Sequence, residues 1–422
     1  MSGDSFTPLG LFDVVIAGAG LSGSSLAFRL ARHGLNVAIL DANSFPRDKI
    51  CGEFLSPECW DAFDDLGLTD EIGKLDYQPI HRVRITTPRG REVVAEVVGL
   101  DGRPGIGLSR SALDDLLLQK ARLAGATVFE ATRISGPIVE EGRVVGVLAR
   151  SANGGAVSIR GAVTVAADGR QSTLVKQTGT TRGRSWFRPR LFGMKRHFHL
   201  PNLDDGEQPG TVGLHLIPGG YGGTCRVEGS LTNLCALLPG STVRVRRGDL
   251  DRVARDCLAA NPALARLLTG GDPTGDWKTV AGVRVQISRP NLPGILFAGD
   301  GQGTVDPLGG QGMTMALLGS EALVPFVKAG LLAGGPGVSA AIQTAWESAW
   351  RCRFDRRITL CRGFHHFLIR PTLTDCASLL GPFASKFLAS CFGQTREPAT
   401  NSGLDPWNRL NSVLRSHSEK YV

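Results

Sequence analysis

The stretch from Phe12 to Asp41, FDVVIAGAGLSGSSLAFRLARHGLNVAILD, constrains the fold of this chain more than any other. Its first part, VVIAGAG, is a short apolar run, typical of a strand that is buried on both faces. Gly18, Gly20 and Gly23 then form G-x-G-x-x-G where this strand turns into a helix, and VAIL forms a second strand that ends at Asp41. The stretch therefore predicts a strand–helix–strand unit of a parallel sheet.

The glycine turn also predicts a ligand. The first glycine permits a tight turn, the second lets a pyrophosphate approach the backbone, and the third allows the helix to pack closely on the strand. Ala19, Leu21 and Ser22 lie at the start of the helix, whose free N–H groups and positive dipole end attract phosphate. Asp41 lies 18 residues after Gly23, where a carboxylate accepts hydrogen bonds from a ribose. The unit predicts dinucleotide binding, and the acid favours FAD or NAD over NADP.

Composition sets wider bounds. The 422 residues are 42% hydrophobic and 20% charged, which indicates a globular protein of two or three domains or one interleaved unit. The formal net charge of +8 is not concentrated in one tract, so no nucleic-acid partner is expected. Nine cysteines without C-x-x-C indicate reduced thiols in a cytoplasmic protein. No signal peptide is indicated, and no stretch is expected to reach the ~20 apolar residues of a membrane span.

The loop that follows Asp41, NSFPRDKICGEFLSPE, carries Arg47, Lys49, Cys51 and Gly52. Its position directly after the ribose acid favours a loop that lies along the cofactor, with the two cations near phosphate or flavin. The alternative is an irregular connection with solvated charges, in which Cys51 is a small buried residue.

Further along, Ser109 is predicted to cap a helix that has Arg110 in its first turn. A cation there opposes the helix dipole, which favours a specific anionic partner for it. The apolar run VTVAA then ends in Asp168 and Gly169, a pattern that by itself is a common turn.

A second apolar strand, GILFA, ends in Gly299 and Asp300. The carboxylate of Asp300 can bond a ribityl or ribose hydroxyl. A loop that contains Gly310 then leads into a helix near Gly312 and Met313, whose N–H groups could stabilise negative charge on a reduced flavin.

In their order and spacing, these sites resemble the FAD-dependent oxidoreductase superfamily of group A flavin monooxygenases, geranylgeranyl reductases and flavin halogenases. The resemblance covers about residues 12–330. It implies that Arg110, in R-x-x-L-D-x-x-L, contacts FAD, that Asp168-Gly169 contacts FAD and NAD(P)H, and that Asp300 holds the ribitol. NADH or NADPH is the implied reductant.

The resemblance also implies an α/β fold, in which a Rossmann-like, three-layer FAD-binding domain with a parallel central sheet is interleaved with an antiparallel substrate domain and followed by C-terminal helices. The expected segments are 1–75, 101–180 and 286–335 for FAD binding, 76–100 and 181–285 for the substrate sheet, and 336–422 for the helices. This last region is rich in arginine and aromatic residues. It is predicted to pack on the other domains or, alternatively, to contact a membrane surface peripherally.

The leading functional hypothesis is a monooxygenase that hydroxylates a hydrophobic aromatic or polyketide-type molecule of secondary metabolism. The alternative is a reductase of isoprenoid double bonds, because FPRDKICGEFLSPE resembles the loop of geranylgeranyl reductases. A halogenase is less favoured, since the W-x-W-x-I-P motif is absent, and so is a non-catalytic flavin sensor. His197, His199 and His215 lie in the expected substrate sheet, and no catalytic residue or metal ligand is assigned.

Overall fold

Two large β-sheets and the helices packed on them form the framework of the protein. The computed structural model describes residues 6–99, 101–182, 191–200, 208–332, 338–368 and 370, and the isolated residues 383, 385, 386, 389, 390 and 393. Within these residues the strands are β1 (Thr7–Ala17), β2 (Val37–Leu40), β3 (Phe54–Leu55), β4 (Gln78–Ile80), β5 (Arg82–Thr86), β6 (Glu92–Glu96), β7 (Gly105–Gly107), β8 (Thr127–Phe129), β9 (Thr132–Glu140), β10 (Arg143–Ser151), β11 (Ala156–Ala166), β12 (Gly179–Arg182), β13 (Leu191–His199), β14 (Thr211–Ile217), β15 (Gly220–Arg226), β16 (Leu231–Pro239), β17 (Asp272–Val283), β18 (Ile287–Pro290) and β19 (Ile295–Phe297). The α-helices are α1 (Leu21–Arg32), α2 (Cys59–Leu66), α3 (Thr69–Lys74), α4 (Arg110–Leu123), α5 (Thr173–Thr178), α6 (Gly240–Val245), α7 (Leu250–Cys257), α8 (Pro262–Gly270), α9 (Gly312–Leu332) and α10 (Ala340–Leu368).

The first sheet has the strand order β8-β2-β1-β11-β10-β9, and β19 also pairs with β11. The pairs among β8, β2, β1, β11 and β19 are parallel, whereas β10 and β9 continue the sheet in antiparallel fashion. Val14, Val15 and Ile16 of β1 are fully buried, as the apolar run predicted. Helices α1, α4 and α9 cover one face, and α5 lies on the other. The predicted mixed α/β fold is confirmed.

The second sheet has the order β17-β13-β16-β15-β14-β5-β6 and is antiparallel except for the pair β14/β5. Successive residues of its strands face opposite sides. Ala236 and Leu238 pack under α6, α7 and α8, while Leu237 between them lies on the opposite face, in a core cluster with Phe54 and Leu308. This sheet therefore presents one apolar wall to the cofactor-binding half of the molecule.

Helix α9 corrects the expectation that no stretch is long and apolar enough to cross a membrane. By length and composition Gly312–Leu332 passes that test, but 67% of its most apolar window is buried inside the fold. Phe326 and Val327 are fully buried in the core that α9 shares with α1. Packing against the first sheet accounts for its apolar composition.

Helix α10 packs its aromatic side chains inward. Trp346, Trp350 and Phe354 are buried in the main core, and Trp346 Nε1 donates to the carbonyl oxygen of Phe297 at 2.9 Å. Most of the predicted C-terminal region beyond residue 370 lies outside the described residues, so membrane contact stays a prediction.

Candidate cofactor and substrate site

The turn between β1 and α1 has the geometry that its glycines predict. Gly18 has φ +101°, and a Cβ there would lie 2.5 Å from the carbonyl oxygen of Ala167. A Cβ on Gly23 would lie only 1.8 Å from the carbonyl oxygen of Gly18. The first and third glycines thus allow the strand, the turn and the helix to approach each other closely.

Gly20 faces a cluster of cationic side chains, whereas Gly18 and Gly23 face backbone atoms. A Cβ on Gly20 would lie 3.7 to 3.9 Å from Arg47 Nη2, Arg110 Nη2 and Lys49 Nζ. The Lys49 side chain is open to the cleft, although many protein atoms lie close around it. Desolvation by these atoms and the positive charges of Arg110 and Arg47 lower the pKa of Lys49. Three like charges beside free helical N–H groups suit a pyrophosphate.

The two arginines are held by Asp114, a fully buried residue of α4 that the sequence analysis did not single out. Its carboxylate accepts from Arg110 Nε at 2.8 Å, Arg110 Nη2 at 2.7 Å and Arg47 Nη1 at 2.9 Å. Burial lowers the pKa of Arg110, but the facing Asp114 raises it further, so the net pKa is above its ordinary value. Ser109 caps this helix as predicted, since its Oγ accepts from Ala112 N.

Asp41 is fixed at the end of β2. Its Oδ2 accepts from Ala19 N at 2.9 Å, and its Oδ1 accepts from Asn43 N at 3.0 Å. Arg47 Nη2 lies 3.5 Å from Oδ2. The carboxylate thereby ties the second strand to the glycine turn, at the position expected for a ribose ligand.

The two distant strand ends meet the glycine turn. A Cβ on Gly299 would lie 3.0 Å from Cβ of Ser22, so the first and last parts of the predicted site are in contact. Asp168 Oδ2 accepts from Thr173 N at 2.9 Å, and burial raises the Asp168 pKa. Ser22 Oγ and Asp168 Oδ1 are buried without a hydrogen-bond partner among the described residues. These orphaned atoms fit a polar ligand between them.

A cleft of about 400 Å³ lies between the two sheets. It brings together most of the predicted site residues, namely Gly20, Leu21, Ser22, Lys49, Cys51, Gly52, Arg110, Asp168, Gly169, Gly299, Asp300, Gly310, Gly312 and Met313. The other five predicted residues, Gly18, Ala19, Gly23, Asp41 and Arg47, do not line it. Their individual contacts with a cofactor stay predictions.

The loop between β2 and β3 is anchored by Glu53, a fully buried residue with φ +57°. Glu53 Oε1 accepts from Arg110 N at 2.9 Å and from Lys195 Nζ at 2.6 Å. Its Oε2 lies 2.7 Å from His197 Nε2. Lys195 and His197 belong to β13, so this carboxylate joins the cofactor half to the substrate sheet.

Two further contacts complete this anchor. Lys195 Nζ donates to Asp48 Oδ1 at 2.6 Å, and Asn233 Nδ2 donates to the carbonyl oxygen of Cys51 at 2.9 Å. Burial raises the pKa of Asp48, but Lys195 and Lys278 lower it more, to about 2. Lys195 was not identified from the sequence, where an isolated lysine in an alternating strand carries no signal.

The substrate-sheet wall of the cleft is apolar and contains one thiol. Leu237, Val280 and Val283 line it together with Cys235 of β16, while Cys51 lines the cleft from the loop that carries Lys49. Burial and the neighbouring Cys51 raise the pKa of Cys235 to about 12. This wall suits an apolar substrate in contact with the protonated thiol of Cys235.

The residues therefore fit FAD: a cationic cradle for pyrophosphate, an acid for the ribose, two buried unpartnered oxygens and an apolar wall. FAD, when bound, supplies two-electron redox chemistry. The residues of the cleft would position FAD and exclude water along the apolar wall. They also place the thiols of Cys51 and Cys235 in the same cleft.

Known proteins of similar sequence include reductases and a monooxygenase. The chain is 27% identical over 387 residues to the menaquinone reductase of Mycolicibacterium smegmatis, covering 89% of this chain and 88% of the relative. It is 29% identical over 314 residues to digeranylgeranylglycerophospholipid reductase 1 of Methanopyrus kandleri, covering 73% and 78%. It is 26% identical over 326 residues to squalene monooxygenase SE2 of Panax ginseng, covering 72% and 56%.

Solved structures share the fold. The flavin-dependent brominase Bmp2 superposes with a TM-score of 0.75 at 18% identity, over 97% of this chain and 100% of the other. A geranylgeranyl bacteriochlorophyll reductase-like protein of Thermoplasma acidophilum gives a TM-score of 0.69 at 19% identity, over 97% and 96%.

The model of the family described as FAD binding domain matches residues 12–324, which contain both sheets except the start of β1, and all of the residues that line the cleft. The matched region is the one in which the glycine turn, the cation cluster and the second aspartate motif converge. The chain belongs to this FAD-binding family, and it is an FAD-dependent oxidoreductase.

Proposed function

We propose that this protein reduces carbon–carbon double bonds in the isoprenoid chain of a lipid. The observation that carries this is the apolar wall of the substrate sheet, which shares one cleft with the residues that fit FAD and with the thiols of Cys51 and Cys235. Menaquinone and digeranylgeranylglycerophospholipid, named in two relatives, both contain isoprene units. This reverses the preference drawn from the sequence, where hydroxylation of an aromatic or polyketide-type molecule led.

The reaction needs a hydride and a proton for each double bond, with NADH or NADPH oxidised in the same cycle. Val280, Val283 and Leu237 would hold the alkyl chain against the cofactor. Cys51 and Cys235 would be the proton sources, since a thiol that lines the cleft can release a proton to carbon. The pKa of Cys235, raised to about 12, keeps that thiol protonated at neutral pH.

Monooxygenation is the second candidate. The similarity to a squalene monooxygenase favours it, and an apolar, water-excluding wall serves oxygen insertion as well as reduction. That reaction would consume one dioxygen and one NAD(P)H per product and release one water.

We also propose a cytoplasmic enzyme that meets its lipid at a membrane surface. A long isoprenoid chain resides in bilayers, so the cleft must receive it from there. The arginine-rich and aromatic C-terminal region is the proposed peripheral contact.

The test compares turnover in air and under nitrogen. Purified protein is loaded with FAD, checked by its visible spectrum, and given NADH or NADPH with geranylgeranyl lipid. A product heavier by two hydrogens under nitrogen supports the reductase, whereas a product heavier by one oxygen, formed only in air, overturns it in favour of the monooxygenase.

A thiol variant tests the proton source. Cys51→Ala is expected to lower kcat for double-bond reduction by about 100-fold with unchanged flavin content. Cys59→Ala is the control, because Cys59 is buried in the core and does not line the cleft. If Cys51→Ala and Cys235→Ala both kept the wild-type kcat, neither thiol would be the proton source.

A further inference from the structure

A second cleft, of about 870 Å³, opens beside the cofactor cleft. The two clefts share Gly169, Arg170, Gln171 and Asp300, so a ligand in one can reach the other. The second cleft lies between the Asp168-Gly169 turn with α5 and the α6 edge of the substrate sheet. Nothing in the proposed reaction so far uses it.

This second cleft is strongly basic. Its cationic lining residues are Arg170, Lys176, Arg244, Arg247 and Arg284. Asp300 is the carboxylate among the described lining residues, and it already lies 3.6 Å from Arg170 Nη2. Since the whole chain has a formal net charge of +8, a large part of its excess positive charge gathers around this one cleft.

The cations of the cleft lack the acidic partners that neighbouring arginines have. Arg246 Nε lies 3.0 Å from Asp256, whereas the adjacent Arg244 and Arg247 have no ion pair among the residues described. Arg284 likewise has no ion pair within the described part of the chain. Arg170 Nε is buried and has no hydrogen-bond partner there. Like charges left together in this way are stabilised by an anion.

The remaining lining residues show what else the anion carries. Apolar side chains stand between the cations, namely Val175, Leu191, Phe192, Val243, Ala281 and Val285. A small inorganic ion would not need them, but a phosphate group attached to a carbon skeleton would contact both kinds of residue.

We propose that this cleft binds the phosphate of a molecule whose other end enters the cofactor cleft. Guanidinium groups bind phosphate oxygens through paired charge-assisted hydrogen bonds, which suits Arg244, Arg247 and Arg284. Two sources share this chemistry: the nicotinamide nucleotide reductant and a phospholipid substrate. The site is independent of whether the reaction is reduction or oxygenation.

The test measures binding without turnover, on oxidised protein loaded with FAD so that the pyrophosphate cradle is filled. Calorimetric titrations use three probes: 2′,5′-ADP, sodium pyrophosphate, and phosphatidylglycerol vesicles with phosphatidylcholine vesicles as the neutral reference. The variant is R244Q/R247Q. The control is R255Q/R266Q, which removes two exposed arginines of α7 and α8 that do not line the clefts and whose side chains form no ion pair or hydrogen bond among the described residues.

The double variant is expected to bind about tenfold more weakly than wild type and control, with unchanged flavin content and circular dichroism. Weaker 2′,5′-ADP binding assigns the site to the nucleotide, weaker phosphatidylglycerol binding assigns it to the lipid, and weaker pyrophosphate binding alone supports the phosphate chemistry. The proposal is overturned if wild type binds no probe, or if R244Q/R247Q and the control bind every probe as wild type does. Failure here leaves the proposed reaction untouched, because no turnover is measured.

Discussion

The two ends of the cofactor cleft are built in different ways. At the phosphate end, Gly18 and Gly23 set the backbone, and Asp114 holds two arginines in place. At the substrate end, side chains from widely separated strands meet, as when Glu53 binds Lys195 across 142 positions of the chain. The backbone of the first end is set by a local glycine turn, whereas the second end exists only when the two sheets are joined.

This difference indicates which end of the cleft changes between FAD enzymes that catalyse different reactions. A pyrophosphate is the same in every FAD enzyme, so backbone and buried ion pairs can be fixed around it. The substrate end is a wall of interchangeable apolar side chains. This explains why both reductases and a monooxygenase are similar in sequence to this protein. Five substitutions, each compared with a control or with wild type, would sharpen or break this contrast.

The largest effect is expected from Asp114→Asn. Removing the buried charge leaves Arg47 and Arg110 without their main carboxylate, which costs about 3–5 kcal/mol of unfolding free energy. Urea unfolding of the FAD-free protein measures it. Asp115→Asn is the matched control, since Asp115 is only partly buried and accepts one bond from Gln119. Equal losses in the two variants would contradict a special role for Asp114.

The next effect separates two glycines of the same turn. Gly23→Ala places a Cβ 1.8 Å from a backbone oxygen, so we expect a loss of about 1–3 kcal/mol in unfolding free energy. Gly20→Ala meets nothing closer than 3.7 Å and should leave the FAD-free protein as stable as wild type. Its Cβ would enter the phosphate space, so FAD should bind about tenfold more weakly. Unchanged FAD affinity in Gly20→Ala would place the pyrophosphate elsewhere.

At the substrate end, Asp48→Asn is expected to cost about 2 kcal/mol at neutral pH. The Asp48 pKa, lowered to about 2 from an ordinary 3.8, stabilises the fold above about pH 4. This contribution is lost as the pH falls toward about 2, because the folded carboxylate then also takes up a proton. Unfolding free energies of both proteins between pH 7 and pH 2.5 should therefore converge on acidification. A difference that is constant with pH would refute the ion pair with Lys195.

The smallest effect is expected from Val280→Ala in the apolar wall. Losing this contact should weaken geranylgeraniol binding about fivefold, or about 1 kcal/mol, without changing flavin content. The perturbation of the flavin spectrum on titration reports the affinity. Val139→Ala is the control, since Val139 is 45% exposed on β9 and outside the cleft. Loss of FAD in Val280→Ala would mean that the two ends are not separable.

Much of the cofactor half was predictable from the sequence because its signals are local. The apolar run of β1, the glycine spacing and the Ser109 cap each depend on residues within a few positions of one another. The apolar composition of α9 was underestimated, since its membrane-like length is visible only once the helix bounds are known.

The sequence by itself determined the glycine turn, the family and the FAD-dependent chemistry, because a phosphate site is encoded in consecutive backbone positions. Only the tertiary structure decided that Asp114 also binds Arg47, that Glu53 joins the loop to Lys195, and that unpaired arginines gather beside the cleft. Charge pairing and cleft shape depend on distances between segments that lie far apart in the chain. No periodicity in the sequence records those distances.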